Sequence, residues 1–296
     1  EAPPEAVPKS AADAVPDCLL DLHYAADAPA PRPIDWAPAQ DLAFRAHALV
    51  QQHVGRPLPV RATLAKRIPT GAGLGGGSSD AAAMILGLDR LFGLSLALAA
   101  QHQIAQQLGS DVHFALHALR HPTAALVAGF GDQLEPLPPS PTRHFTLILP
   151  PFACPTAPVY RAFDHLSHPR TQIQKRPRNL PTRNQSLRQQ EAPASTSQRR
   201  DDPARPLDSD HLRTLAASLR VDARALHNDL EAAAVHVQPA LGELLADLRR
   251  AVNHPVHVTG SGSACFVLAD SADHAQTLAQ NLNTITGVPT LGARTR

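Results

Sequence analysis

The sequence predicts an α+β chain of two domains that meet near residue 145, and three observations carry that reading. Runs with helical apolar spacing and runs with strand-like alternation both recur along the chain. A glycine-rich loop near residue 70 separates a strand-like run from an Ala-rich helix. Composition then breaks between about residues 166 and 210, after which ordered patterns return. These features place one domain at residues 1–144 and a second at 145–296. With 296 residues, 43% of them hydrophobic, the chain is long enough to bury both cores.

The elements follow in order. EAPPEAVPKSAADAVP, at residues 1–16, is Pro/Ala-rich and reads as a poorly ordered lead-in. Residues 42–52 (LAFRAHALVQQ) have the spacing of an amphipathic helix, and residues 60–68 (VRATLAKRI) alternate as a strand. Residues 78–92 form a helix expected to be capped by Ser78 and Asp80, and Ser95 is expected to cap a second helix ending near Leu108. Residues 109–116 turn into another short helix, and residues 123–128 and 144–149 read as strands. The segment from Leu166 to Asp210 is rich in Arg, Gln, Pro and Ser and poor in large apolar residues. It cannot bury enough surface to offset its ordering entropy, so it reads as a solvated insertion. Helices are expected at 210–219, 241–252 and 273–282, and strands at 257–258 and 265–269. A second glycine turn, Gly260-Ser261-Gly262, lies between the last two strands.

Composition excludes several classes. The formal charge is +1, which gives no whole-chain case for nucleic acid or a lipid surface. The Arg-rich insertion raises an RNA tether as a competing reading, but it lacks the aromatics on which bases stack, so no nucleic-acid partner is expected. No apolar run approaches the ~18 to 20 residues of a membrane span. Three widely spaced cysteines, Cys18, Cys154 and Cys265, indicate neither a disulfide framework nor a zinc site, which fits a reducing, cytoplasmic setting. Residue 1 is Glu and Met84 is the sole methionine, so the sequence is expected to be processed or truncated at its start. Nothing in the pattern fixes an oligomeric state.

The strongest chemical signal is Pro69-Thr70-Gly71-Ala72-Gly73-Leu74-Gly75-Gly76-Gly77-Ser78-Ser79, set between strand and helix. Five glycines in seven residues let backbone N–H groups turn inward and approach an anion. The helix that follows adds free N–H groups and the positive end of its dipole. Ser78 and Ser79 bring hydroxyls that can donate to phosphate or ligate a phosphate-bound Mg²⁺. The loop lacks the Lys of a Walker motif, and no acidic residue follows at the Rossmann distance. It reads as a phosphate cradle of its own kind.

That loop, PTGAGLGGGSSDAA, resembles the ATP-binding motif of the GHMP kinases, and the agreement extends along residues 41–296. Leu108-Gly-Ser-Asp-Val-His-Phe114 resembles the family's GSDVPFF, and Cys154-Pro-Thr-Ala-Pro-Val-Tyr160 its STxxVY segment. Asn228-Asp-Leu-Glu231 matches a string common in the second domain. Thr259-Gly-Ser-Gly-Ser-Ala264 matches the third motif, whose glycine turn packs near the phosphate loop. The triple glycine followed by SSDAA is most similar to the branch that acts on a cytidyl diphosphate sugar alcohol.

The resemblance implies a βαβ-rich ATP domain followed by a ferredoxin-like domain. It also implies ATP-dependent phosphorylation of the 2-hydroxyl of 4-diphosphocytidyl-2-C-methyl-D-erythritol, with Mg²⁺ bound mainly through the ATP phosphates. Asp111 falls at the carboxylate that takes the hydroxyl proton; read without the motif, it is a helix N-cap. Tyr160 falls at the aromatic that stacks on cytosine, with Thr156 as a polar neighbour; the competing reading is a core tyrosine. Gly260, Ser261 and Gly262 fall on the substrate side. Lys66 is left between a phosphate contact and a surface carboxylate. His113 stands where the family has Pro. His113, His117 and His121, spaced as one helix face, are read as plain helix positions because no HExxH accompanies them. Asn228 and Asp229 are expected to shape the second domain. The family's opening PxKxNL and DGYH strings do not occur, and Asp21-Leu-His-Tyr24 is a poor substitute for the latter. A catalytically impaired ATP-binding relic, or a GHMP kinase of another small molecule, are the alternatives.

Overall fold

The computed structural model describes residues 17–167, 209–218 and 220–295. The lead-in at 1–16 and most of the expected insertion lie outside the described residues. The edges of that insertion correct the expectation. Leu166 and Ser167 close one helix, and Ser209 and Asp210 open the next, because apolar residues at helical spacing continue past the compositional break.

The amino-terminal half opens with a strand that sequence reading missed, β1 (Cys18–Tyr24), paired in parallel with β2 (Val60–Lys66). Between them runs α1 (Leu42–Val54), completing a βαβ unit. Asp41 caps α1 by accepting the Ala43 N–H at 2.9 Å, and Gly55 ends it in the left-handed region. Strand β2 stops at Lys66, short of the expected Ile68. Helix α2 (Gly76–Phe92) starts two residues earlier than expected. Its cap is Gly75, so Ser78 and Asp80 sit inside the first turns instead of capping them. Helix α3 (Leu98–Leu108) begins after Ala97, and Ser95, expected as its cap, takes a positive φ in the preceding turn. Helix α4 (Ser110–Arg120) follows Gly109 directly, and a hairpin of β3 (Ala125–Ala128) and β4 (Gln133–Pro136) closes this half. Ala46, Val50, Ala81, Ile85, Leu88, Ile104, Val112 and Leu116 form its core.

The second half is a β-α-β-β-α-β arrangement. Strand β5 (His144–Ile148) leads into α5 (Thr156–Ser167), and α6 (Ser209–Ala217), α7 (Glu231–Val237) and α8 (Pro239–Ala251) follow. Then come β6 (His257–Val258), β7 (Cys265–Ala269), α9 (Ala272–Thr286) and β8 (Thr290–Arg294). The antiparallel sheet has the order β6-β7-β5-β8, the ferredoxin-like topology. Alternation along β5 and β7 turns Ile148, Cys265 and Val267 onto Leu241, Leu245, Leu248 and Leu282 of the helices. A third, small cluster of Ala30, Ala72, Leu149 and Ala264 draws residues from both halves. Among the described residues no helix is long and apolar enough to cross a membrane.

Candidate active site

Two glycine turns, nearly two hundred residues apart in sequence, are stitched together by backbone. The Gly71 carbonyl accepts from the N–H groups of Cys154 at 3.0 Å and Ser263 at 3.2 Å, and the Ala72 carbonyl accepts from Ala264 at 3.0 Å. The Thr259 hydroxyl donates to the same Ala72 carbonyl at 3.0 Å. Gly73, at φ 69°, sits so close to Thr259 and Gly262 that a Cβ would collide with their backbone. Strand β2 and the start of α2 fix both ends of the first turn, so its backbone is held rigid.

Beside these turns opens a cleft of about 650 Å³, within the range of ligand pockets. Residues Pro69 to Ser78 form one wall, and Asp111, Thr156, Tyr160, Gly260 and Ser261 also line it. The residues singled out from sequence therefore converge, with two exceptions. The Ser79 hydroxyl turns back to donate to the Gly76 carbonyl at 2.7 Å, and Gly262 packs behind the turn, toward the Cys154 thiol. The first-turn N–H groups of α2 have no intrahelical acceptor, and Gly76, Gly77 and Ser78, which carry them, line the cleft.

Asp111 occupies the first turn of α4, where Gly109 is the cap, so the N-cap reading of this carboxylate falls away. It is exposed, with the Ser110 hydroxyl 3.4 Å from its Oδ1. Tyr160, on α5, is 50% exposed and is no core tyrosine. The Thr156 hydroxyl lies 3.3 Å from that of Ser261, linking α5 to the second glycine turn. Asn228 braces that turn from below, donating to the Val258 and Gly260 carbonyls at 2.9 and 2.8 Å.

Lys66 meets carboxylates, one of the two roles considered for it, but inside the fold instead of at the surface. It is 6% exposed and lies 3.1 Å from Asp41 and 2.9 Å from Asp80, with the Trp36 ring 5.9 Å away. Burial works against its ammonium, but the hydrogen bonds and charge of Asp80 and Asp41 outweigh this and hold it above its ordinary value. Two carboxylates share one ammonium, and burial together with the Asp41 charge pushes the Asp80 carboxyl up.

Sequence reading missed the side chains that hold the loop from its amino-terminal side. The Tyr24 hydroxyl accepts the Thr70 N–H at 3.1 Å. Arg32 donates to the carbonyls of Thr70 and Pro150 and to the Ser263 hydroxyl, tying both glycine turns to the entry of the second half. The apolar alternation ending in Tyr24 was the available signal for the first. Nothing local marks Arg32, which acts through residues 38 to 231 positions away. His113 and His117 are engaged within the fold, at Gly131 and Thr123.

Comparison with known proteins yields consistent matches. The family described as GHMP kinases N terminal domain matches residues 41–119, and GHMP kinases C terminal matches residues 209–286. A Thermobifida fusca (strain YX) protein named 4-diphosphocytidyl-2-C-methyl-D-erythritol kinase is 35% identical over 246 residues, covering 82% of this chain and 67% of that protein. One of the same name from Caulobacter vibrioides (strain NA1000 / CB15N) is 34% identical over 251 residues, 84% of this chain and 74% of that protein. A crystal structure of 4-(cytidine 5'-diphospho)-2C-methyl-D-erythritol kinase aligns with TM-score 0.60 and 28% identity, covering 94% of this chain and 81% of that one. Homoserine kinase from Cytophaga hutchinsonii, 15% identical at TM-score 0.55, shares the fold.

Proposed function

This chain belongs to the GHMP kinase family, and we propose that it transfers the γ-phosphoryl group of ATP to the 2-hydroxyl of 4-diphosphocytidyl-2-C-methyl-D-erythritol. The observation that carries the reading is the convergence, in one cleft, of a phosphate-sized glycine cradle, an exposed carboxylate and an exposed aromatic. ATP fits the first wall. The α2 amino-terminus, whose residues Gly76, Gly77 and Ser78 belong to that wall, offers N–H donors to phosphate. Among the described residues no group of three or more His, Cys, Asp or Glu could hold a metal ion by itself. Mg²⁺, a hard cation that takes oxygen ligands, would be held mainly by phosphate oxygens, with the Ser78 hydroxyl in the same wall as a further ligand. Bound there, Mg²⁺ supplies charge neutralisation.

Phosphoryl transfer needs positioning and electrostatics more than covalent chemistry. The glycine loop and the first turn of α2 orient the triphosphate, and Asp111 accepts the proton of the attacking hydroxyl. Tyr160 stacks on the cytosine, and Thr156 with Ser261 meets the polar part of the substrate. The three buried, unpaired cysteines support a reducing, cytoplasmic setting. ATP consumption measured with the cytidyl substrate, homoserine and mevalonate tests the reading: turnover is expected with the first alone. Asp111→Asn is expected to lower that turnover by ~10² with ATP affinity retained. Near-wild-type turnover in the variant removes Asp111 from the mechanism.

A further inference from the structure

Helix α4 delivers Asp111 from its first turn, yet no side chain closes its cap. Its approach is set from outside, by the β3–β4 hairpin. Gly131, buried at the hairpin tip with φ 83°, lies so close to Ser110 that a Cβ would collide with the Ser110 carbonyl. One step along the helix, the His113 Nδ1 is 2.8 Å from the Gly131 carbonyl oxygen. A carbonyl only accepts, so Nδ1 carries the proton. His113 is 7% exposed, and its ring packs against that of His102 on α3, with centroids 3.9 Å apart. The tip is itself braced: the Phe130 N–H donates to Asp132 Oδ1 at 2.9 Å and the Gly131 N–H to the Ala128 carbonyl at 3.2 Å. The first turn of α4 is therefore pinned to a rigid tip by a backbone contact just before Asp111 and a hydrogen bond just after it.

On the reading of Asp111 as general base, we infer that His113 is a positioning residue whose Nδ1–H···O=C bond to Gly131 sets the direction in which α4 presents the Asp111 carboxylate. The matching position of the motif this stretch resembles is a proline, which has no side-chain donor, so the bond belongs to this chain's own sequence. A displacement of about 1 Å at a reacting group costs up to ~10² in rate, so a bond that holds a helix end in place acts on turnover. Substrate binding at the glycine loop does not pass through it.

Three variants of the full chain separate donor position from bulk. His113→Asn places an amide donor near the Nδ1 position, His113→Gln places it near Nε2, and His113→Phe keeps a buried ring without a donor. With the cytidyl substrate, kcat is expected to fall about tenfold in the Phe and Gln variants, the loss of one buried hydrogen bond, with the KM for ATP within about twofold. The Asn variant is expected to stay within about threefold of wild type. Backbone amide exchange gives a readout independent of chemistry: Asp111 and Val112 are expected to exchange faster in the Phe and Gln variants and at the wild-type rate in the Asn variant. Equal amide exchange in all three variants overturns the inference. So does a kcat for Asn as low as that for Phe, or wild-type turnover in Phe. Asp111→Asn, run alongside, tests the base by turnover alone. Its failure withdraws the base and leaves the amide result standing, so the two readings fail separately.

Discussion

Tyr160 stands half exposed on α5, with Thr156 one turn before it reaching the second glycine turn. A tyrosine held this way presents a flat face at low conformational cost, which suits a nucleobase. Base stacking on an aromatic is worth about 1–3 kcal/mol, so Tyr160→Ala is expected to raise the KM for the cytidyl substrate about tenfold. Tyr160→Phe is expected to restore it, and neither change should move the KM for ATP. Steady-state kinetics on the two variants checks this, and an unchanged KM in the Ala variant removes Tyr160 from the pocket. Tyr160 and Asp111 were legible in the sequence because each lies inside a short string with recognisable neighbours. Trp36 and Asp41 were not, although both line the same cleft, and Asp80, inside the SSDAA string, was read only as a helix cap. Single residues of those types occur on many surfaces, and only their common approach to Lys66 gives them a role.

At the scale of elements, that approach joins three of them. Lys66 ends β2, Asp41 caps α1 and Asp80 lies in the second turn of α2, so one buried ammonium locks the strand to both helices beneath the phosphate loop. Removing it leaves the buried Asp41 and the partly buried Asp80 carboxylates without their shared cation, and breaking such a group costs about 3–5 kcal/mol. Lys66→Met is therefore expected to lower the free energy of unfolding by about that amount, read from urea denaturation; a loss under about 1 kcal/mol would refute the lock. Most helix positions were legible because apolar residues repeat at helical spacing whatever the partner, but α5 and α7 were not expected. Helix starts were less legible. Ser78 and Ser95 have capping chemistry, but Gly75 and Ala97 take the cap positions, because the chain's path into each helix is set by the loop before it. Strand β1 escaped notice because its pairing partner lies some forty residues away and its alternation is short, seven residues with Asp21 and His23 among them.

The whole molecule has two main cores and a small cluster of Ala30, Ala72, Leu149 and Ala264 that draws on both halves. Its stability should depend on acid. His102, His117 and His257 are all held below the ordinary imidazole value, chiefly by burial. An unfolded chain, with imidazoles near 6.5, then binds protons before the folded chain does. Stability is expected to fall as pH drops through about 6.5. Melting temperatures at pH 7.5 and 5.5 test the sign: a lower value in acid is expected, less so in His102→Gln, and a higher value in acid refutes it.

The sequence by itself determined the glycine-rich loop, the helix that follows it, the α+β class and the strings that carry Asp111 and Tyr160. The loop, the helix and the strings are each encoded in one contiguous run, where glycine content and apolar spacing act directly on the backbone. Tertiary structure alone decided that Gly73 meets Thr259, that Arg32 ties both glycine turns, that Lys66 is shared by two carboxylates and that His113 reaches Gly131. Those pairings join side chains and carbonyls distant along the chain. Their geometry follows from how two cores pack, which no local pattern records.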